Sequence, residues 1–321
     1  MHTVRLVIGL VSNLAAYTEE GRALAPAVFI CNSVSNLVGM AGSGEYVALS
    51  GEIETDTAAS RILKAAAPLC CGSWRIYVER SLDGQKCKFG VFCGSNDPSS
   101  LTVDEVVLTE ANADNPVVRI LQSVTNKVEV RTSSGNAIEF RFNDDDDVPQ
   151  LNDGAKIAQL AAATSSNVKP PDPTFEGFMS RALTAAIVNS HGTLIAVTSG
   201  TDGEFPPQLS DAVVLHPPLD LFTRFQLHFD ENKTAVSVSR LQTAADLLAG
   251  FVNSDGITVI SNTGQILGYR AFIKSVEPEI PSDGGARTRA FMALSALVGN
   301  GLDAAFFRSE DGRVKIKLSQ E

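Results

Sequence analysis

Four consecutive aspartates, Asp144 to Asp147, followed by Val148-Pro149, constrain this chain more than any other feature. Adjacent like charges repel one another and hold water, and a proline then disfavours regular structure. The run therefore reads as a solvated turn beside a domain boundary, giving domains 1–150 and 151–321. Length gives the same count, at about 100–200 residues per domain. Either part can bury a core without disulfides or metals. A calcium loop would alternate its carboxylates and end on a glutamate, a pattern this run lacks. Val168-Lys169-Pro170-Pro171-Asp172-Pro173 is a second loop signal.

Composition narrows the classes further. Hydrophobic residues at 44% and charged residues at 20% are ordinary for a globular chain and argue against disorder. Residues 1–150 hold 12 basic and 19 acidic side chains and residues 151–321 hold 14 and 18, so neither half is basic. That weighs against nucleic acid as a partner. No apolar run nears the ~18 residues of a membrane span, so no membrane partner is expected. Arg5 and Leu6–Val11 faintly resemble a signal peptide, but Ser12-Asn13 interrupts the run and Glu19-Glu20 follow. A helix with Leu10, Leu14 and Tyr17 on one face fits better. The cysteines, Cys31, Cys70, Cys71, Cys87 and Cys93, are odd in number and lack metal-ligand spacing. Adjacent Cys70 and Cys71 resist bridging each other, so all five read as small buried thiols of a cytoplasmic protein.

The first domain reads as strand-rich, of unknown role, with two or more helices. Pro26–Cys31 is one strand, Trp74–Val78 and Lys88–Cys93 form a hairpin around Asp83-Gly84, and Lys127–Thr132 and Ala137–Phe142 form another. Ala58–Ala67 has helical character. The second domain alternates helix and strand. Phe175 to Ile187 follow helical spacing with Thr174 as N-cap, and Thr193–Val197 and Ala212–Leu215 are strands. Ser239–Val252 is a helix with Leu241, Ala244, Ala245 and Leu248 inward, and Ile257–Ile260 and Gln265–Phe272 are strands. Arg287–Val298 is a helix, and Ala304–Phe307 and Val314–Leu318 close the sheet. The fold class is α/β (α+β), with a central mixed sheet flanked by helices in the C-terminal domain. No internal repeat is visible.

Three places in the second domain are candidates for carrying chemistry. Asp255-Gly256, at the entry to an apolar strand, is either a plain turn or a carboxylate held at a sheet end for a metal or a hydroxyl. Ser282-Asp283-Gly284-Gly285-Ala286-Arg287-Thr288-Arg289 leads glycines into a helix, where free N–H groups and the helix dipole favour anions and two arginines add donors. Its plain reading is a flexible loop with a solvated first turn. It is neither a Walker loop nor a dinucleotide fingerprint. Ser309-Glu310-Asp311-Gly312 is either a hairpin turn or a carboxylate pair near a metal. His191-Gly192 reads as a turn before its strand.

The order and spacing of these sites resemble the diadenylate cyclase domain family, the DisA-type nucleotide-binding fold. That family carries DGA, then GTRHR, then a strand ending in SEE. Here the matching segments are Asp255-Gly256-Ile257, Gly285-Ala286-Arg287-Thr288-Arg289 and Ser309-Glu310-Asp311-Gly312. His191-Gly192-Thr193-Leu194-Ile195 is similar to the family's HGGTL-type strand entry, and the resemblance covers about residues 175–318. In active relatives two ATP molecules meet between face-to-face subunits, and a divalent metal aids attack of each 3′-hydroxyl on the other's α-phosphate.

By position, the resemblance implies Asp255 and Glu310 as catalytic and metal-holding residues, with Mg²⁺ or Mn²⁺ as the ion. It implies Gly256, Gly285, Arg287, Thr288, Arg289 and Ser309 as nucleotide-binding residues. ATP or a related nucleotide would be the ligand, and a homo-oligomer and an effector protein are the partners left open. Ala286 stands where the family has threonine, Thr288 where it has histidine, and Ile257 where it has alanine and where bulk could crowd the nucleotide. Degenerate members of the family, regarded as nucleotide sensors, also carry a strand-rich region ahead of the cyclase-like domain. Residues 8–142 match that region loosely. The resemblance therefore implies a nucleotide-sensing signalling protein. The alternative is an active cyclic dinucleotide synthase, and the remaining rival is an interaction protein that binds no nucleotide.

Overall fold

Leu6, Leu10, Val11 and Leu14 recur at helical spacing, and all four are buried along the first helix. Such stripes, packed on both faces of two sheets, build the computed structural model. It describes residues 2–19, 22–42, 45–109, 115–124, 126–142, 153–188, 190–199, 207–209, 211–273, 285–310 and 312–319. The aspartate run, Ser282–Gly284 and Asp311 lie outside these. The chain divides into two compact units, Met1–Asn96 with Ser100–Asp146 and Asp97–Ser99 with Asp147–Glu321.

Unit 1 runs α1 (His2–Leu14), β1 (Thr18–Glu19), β2 (Arg22–Ala23), β3 (Val28–Cys31), α2 (Val34–Ala41), β4 (Tyr46–Ala48), β5 (Ile53–Glu54) and α3 (Ala58–Ala66). It continues through β6 (Trp74–Arg80), β7 (Lys86–Cys93), α4 (Val103–Val107), β8 (Val118–Val124), β9 (Lys127–Thr132) and β10 (Ala137–Arg141). Its main sheet has the order β10-β9-β8-β3-β6-β7-β4, with β5 also on β7, and only β3 and β6 run parallel. Helices α1 and α3 bury one face around Leu10, Ile62 and Phe89. Helices α2 and α4 bury the other around Phe29, Leu37 and Phe92.

Both expected hairpins of unit 1 are present, with Gly84 and Gly135 at positive φ in their turns. The cysteines differ from expectation. Cys31, Cys87 and Cys93 are buried, but Cys71 is exposed and Cys70 half-buried, in the turn ahead of β6. Burial, with the charge of Glu79 next, pushes the Cys31 thiol up to about 12, so it stays protonated.

Unit 2 runs α5 (Asp153–Ser165), α6 (Pro173–Val188), β11 (Thr193–Thr198), β12 (Val213–Asp220), α7 (Leu221–Asp230) and α8 (Ala235–Val252). It ends with β13 (Ile257–Ser261), β14 (Gln265–Ala271), α9 (Ala286–Leu297), β15 (Ala304–Arg308) and β16 (Val314–Leu318). The sheet order is β12-β14-β13-β11-β15-β16, and only β11 and β13 run parallel. One face is buried by α5, α6, α7 and α8 around Phe178, Phe225 and Phe306. The other is buried by α9 around Phe291, Leu294 and Phe307. Two helix starts differ from expectation. Helix α6 is capped by Asp172, whose Oδ1 accepts from the N–H groups of Thr174 and Phe175, because Pro173 at the first position has no N–H to satisfy. Helix α8 begins a turn early, where the side chain of Thr234 accepts from the N–H of Ser237.

The two sheets share one topology. Strands β3, β4, β6, β7, β8 and β9 take the same order and directions as β11, β12, β13, β14, β15 and β16. In both, a helix precedes the second parallel strand on one face, and another precedes the following antiparallel strand on the other face. This repeat lies in strand order and leaves no trace in residue spacing, which is why no repeat is visible in the sequence.

Candidate functional site

The parallel pair β11 and β13 begins at one end of the unit 2 sheet, with Leu194 beside Ile257. Strand β15 runs antiparallel to β11 and finishes at that end, with Arg308 beside Thr193. Strand β14 also finishes there, with Ala271 beside Ile257. The register therefore gathers His191-Gly192, Asp255-Gly256 and Ser309-Glu310 at one sheet end, although they are far apart in sequence.

Gly192 is the centre of this arrangement. Its φ is +102, and a Cβ there would lie 3.0 Å from Arg287 Nη1, 3.0 Å from the Arg308 carbonyl oxygen and 3.2 Å from the Glu310 nitrogen. Only glycine allows such an approach. Arg287, in the first turn of α9, donates from Nη1 to the His191 carbonyl at 3.1 Å. That contact ties the helix start to the strand start. Gly285 caps α9 with extended backbone and has no side chain to satisfy the first-turn N–H groups, the arrangement that suits an anion. Thr288 is half-buried and Arg289 is exposed in the same turn.

The loop before β11 is bolted down by Arg308. This buried side chain donates from Nη1 to the Ser190 carbonyl at 2.5 Å. Asp255 and Glu310 are exposed, one on each side of the β11 start. Asp255 Oδ1 accepts the N–H of Gly256 at 3.1 Å. Gly256 has φ +93, and its Cβ position would lie 2.9 Å from the Arg270 Cα, so glycine is needed here too.

Each predicted site residue is thus placed. Asp255, Gly256, Ser309 and Glu310 lie at one end of the sheet, Arg287 reaches the same end at His191-Gly192, and Gly285, Thr288 and Arg289 form the helix start that carries Arg287. Ile257 is buried in the cluster of Phe291 and Leu294 under α9, because the strand's alternation turns it into the core. Arg270 was not foreseen. It is exposed at the end of β14 with φ +56, beside Gly256, where the β13–β14 register shifts. Arg308 was not foreseen either, since a charged residue ending an apolar strand reads as solvated.

Among the described residues no group of three or more His, Cys, Asp or Glu side chains is placed to hold a metal. Asp255 and Glu310 are two exposed carboxylates at the ends of the strands that flank β11. Among the described residues no helix is long and apolar enough to cross a membrane.

What fold and site define is a mixed-sheet α+β unit whose one end joins glycine-lined backbone, arginine and two carboxylates. Set against known proteins, the chain matches no family model, no curated protein and no solved structure.

Proposed function

We propose that unit 2 is a diadenylate-cyclase-like module that binds ATP or a related nucleotide, or a nucleotide second messenger, and reports it to a partner. One observation carries this reading. Three motifs and His191-Gly192 meet at one sheet end, with the Arg287 guanidinium lying against Gly192. Phosphate oxygens take charge-assisted bonds from Arg287 and from the N–H groups above Gly285. Asp255 and Glu310 would hold Mg²⁺ or Mn²⁺. The ion would supply charge neutralisation of the phosphates.

The test is a melt of the full chain with ATP, GTP and cyclic dinucleotides in the presence of Mg²⁺. A ligand at 100 times its dissociation constant stabilises by about 2.7 kcal/mol. Arg287→Ala should abolish the shift, while the lost bond to the His191 carbonyl lowers the ligand-free midpoint only slightly. No shift with any of these nucleotides would sink the reading.

A second reading, an active cyclic dinucleotide synthase, is favoured by the exposure of both carboxylates at this end. Against it stand Ala286 and Thr288, which remove a hydroxyl and an imidazole from the family's pattern. Incubation with ATP and Mn²⁺ followed by mass spectrometry decides between them. Product that disappears in Asp255→Asn makes it a synthase.

A further inference from the structure

Strand β10 is the outer strand of the unit 1 sheet, and all five of its residues are exposed. Its side chains alternate. Ile138, Phe140 and, just beyond, Phe142 are 58%, 39% and 46% exposed, which is unusual for three apolar side chains in a row on one face. Ile138 sits opposite Val130 and Phe140 opposite Val128, so the row continues the apolar face that α1 and α3 cover further in. On the other face Glu139 sits opposite Glu129 and Arg141 opposite Lys127, and Arg141 Nε donates to Glu139 Oε1 at 2.6 Å along the strand, so the edge presents one charge of each sign.

The backbone of β10 is half used among the described residues. Phe142 donates to the Asn126 carbonyl and Thr132 to the Asn136 carbonyl. By the antiparallel alternation, Ile138 and Phe140 then bond to β9, while Ala137, Glu139 and Arg141 turn N–H and C=O groups outward. Natural edges of this kind are blunted by lysine, as at β16, where Lys315 and Lys317 are exposed. Strand β10 carries no lysine.

We propose that β10 is the pairing edge of a homodimer, in which two copies join antiparallel across a two-fold axis at Phe140. The register follows from charge and hydrogen bonding. Centring on Phe140 sets Glu139 against the other copy's Arg141, and Arg141 against its Glu139. It also matches the outward N–H and C=O groups of these residues in two reciprocal pairs. Ile138 then faces Phe142, and the two Phe140 rings lie side by side. Centring one residue either way would bring Glu139 against Glu139 or Arg141 against Arg141, while half-step registers oppose outward groups to inward ones. A closed two-fold contact of this type uses one self-complementary patch. The proposal stands independently of whether unit 2 binds a nucleotide.

Sedimentation velocity of the full chain over a concentration series tests it. The chain should sediment as a dimer. Glu139→Arg and Arg141→Glu should each weaken association by at least about 100-fold, because each places like charges at both symmetry-related contacts. An equal mixture of the two variants should restore a dimer, and so should the double swap. Hydrogen exchange on the unaltered chain gives a readout without substitution. The Glu139 and Arg141 amides should be protected at high concentration and exchange freely on dilution. A monomer at all concentrations, single variants that still dimerise, or amides whose exchange ignores concentration would each overturn the proposal.

Discussion

Gly192→Ala is the sharpest probe of how the sheet end of unit 2 is built. The φ of +102 lies outside the region that L side chains adopt comfortably, and such backbone costs about 1–3 kcal/mol. The added methyl also meets the Arg308 carbonyl at 3.0 Å and the Glu310 nitrogen at 3.2 Å. Both are backbone atoms: Arg308 is paired with Thr193 of β11, and Glu310 sits in the turn that Ser309 and Arg313 close. Overpacking of this kind costs about 1–3 kcal/mol. The two penalties share one relaxation, so they do not add in full, and about 2–4 kcal/mol is expected. In a unit of this size each kcal/mol moves the midpoint by about 2–4 °C, which predicts a fall of roughly 5–15 °C. Differential scanning calorimetry with urea unfolding measures it. Arg287 Nη1, 3.0 Å from the new methyl, can move, so Arg287→Ala should recover little of the loss. A midpoint for Gly192→Ala within a degree or two of the parent would refute the argument that backbone packing demands glycine here.

Two further predictions concern buried charge. In unit 1, Arg119 is buried between the carboxylates of Asp104 and Glu129, which are themselves partly exposed. Removing both carboxylates strands a buried cation and should cost about 2–4 kcal/mol, discounted for their exposure, whereas Arg119→Met leaves carboxylates that water can reach and should cost less. Denaturant titration of the two variants tests that order, and the reverse order would defeat it. In unit 2, Asp97 lies 3.1 Å from Nε2 of buried His228 and 3.7 Å from Lys233. Burial alone would raise Asp97. The hydrogen bonds from the backbone and hydroxyl of Ser99, with the charges of His228 and Lys233, outweigh it and hold the carboxyl below its ordinary value. A depressed folded-state value contributes stability above the unfolded value near 4 and loses it as pH falls through the folded one. Asp97→Asn should therefore flatten the stability profile below about pH 4 and lower the plateau above it. An unchanged acid limb would contradict that assignment.

How much of this was legible in the sequence depended on what sets each feature. Helices α6 and α9 and the two unit 1 hairpins were readable because apolar period and turn glycines encode them locally. Helix α7 was missed because it follows β12 without a break. Its inward residues Leu221, Phe225 and His228 alternate with Phe222 and Phe229, which blurs the period. Helix α5 was missed because alanine fills its faces, leaving few large side chains to mark a stripe. The residue types of the site were legible, but their convergence was not. It rests on β11 running parallel to β13 and antiparallel to β15, a choice made by the whole sheet. Arg270 was hidden for another reason. Nothing in an arginine announces positive φ, and only the shifted β13–β14 register imposes it.

The shared topology of the two units sharpens the expected ligand count. In unit 1 the helix start equivalent to that of α9 belongs to α4, and it is already filled. Thr102 accepts from the Glu105 N–H at 3.2 Å, and the Glu105 carboxylate accepts from the Thr102 N–H at 2.7 Å. A capping box of this kind places an anion of the protein's own where an external phosphate would bind. Helix α9 has Gly285 at that position and Arg287 behind it. On the nucleotide reading, the same fold therefore offers one open end and one closed end in each chain. Equilibrium dialysis with ATP and Mg²⁺ should saturate at one nucleotide per chain and fall to none in Arg287→Ala. Opening the unit 1 end with Glu105→Ala should leave the count at one, since no arginine stands at the equivalent of Arg287 in α4. Two nucleotides per unaltered chain, or one that survives Arg287→Ala, would show that the open helix start is not what selects the ligand.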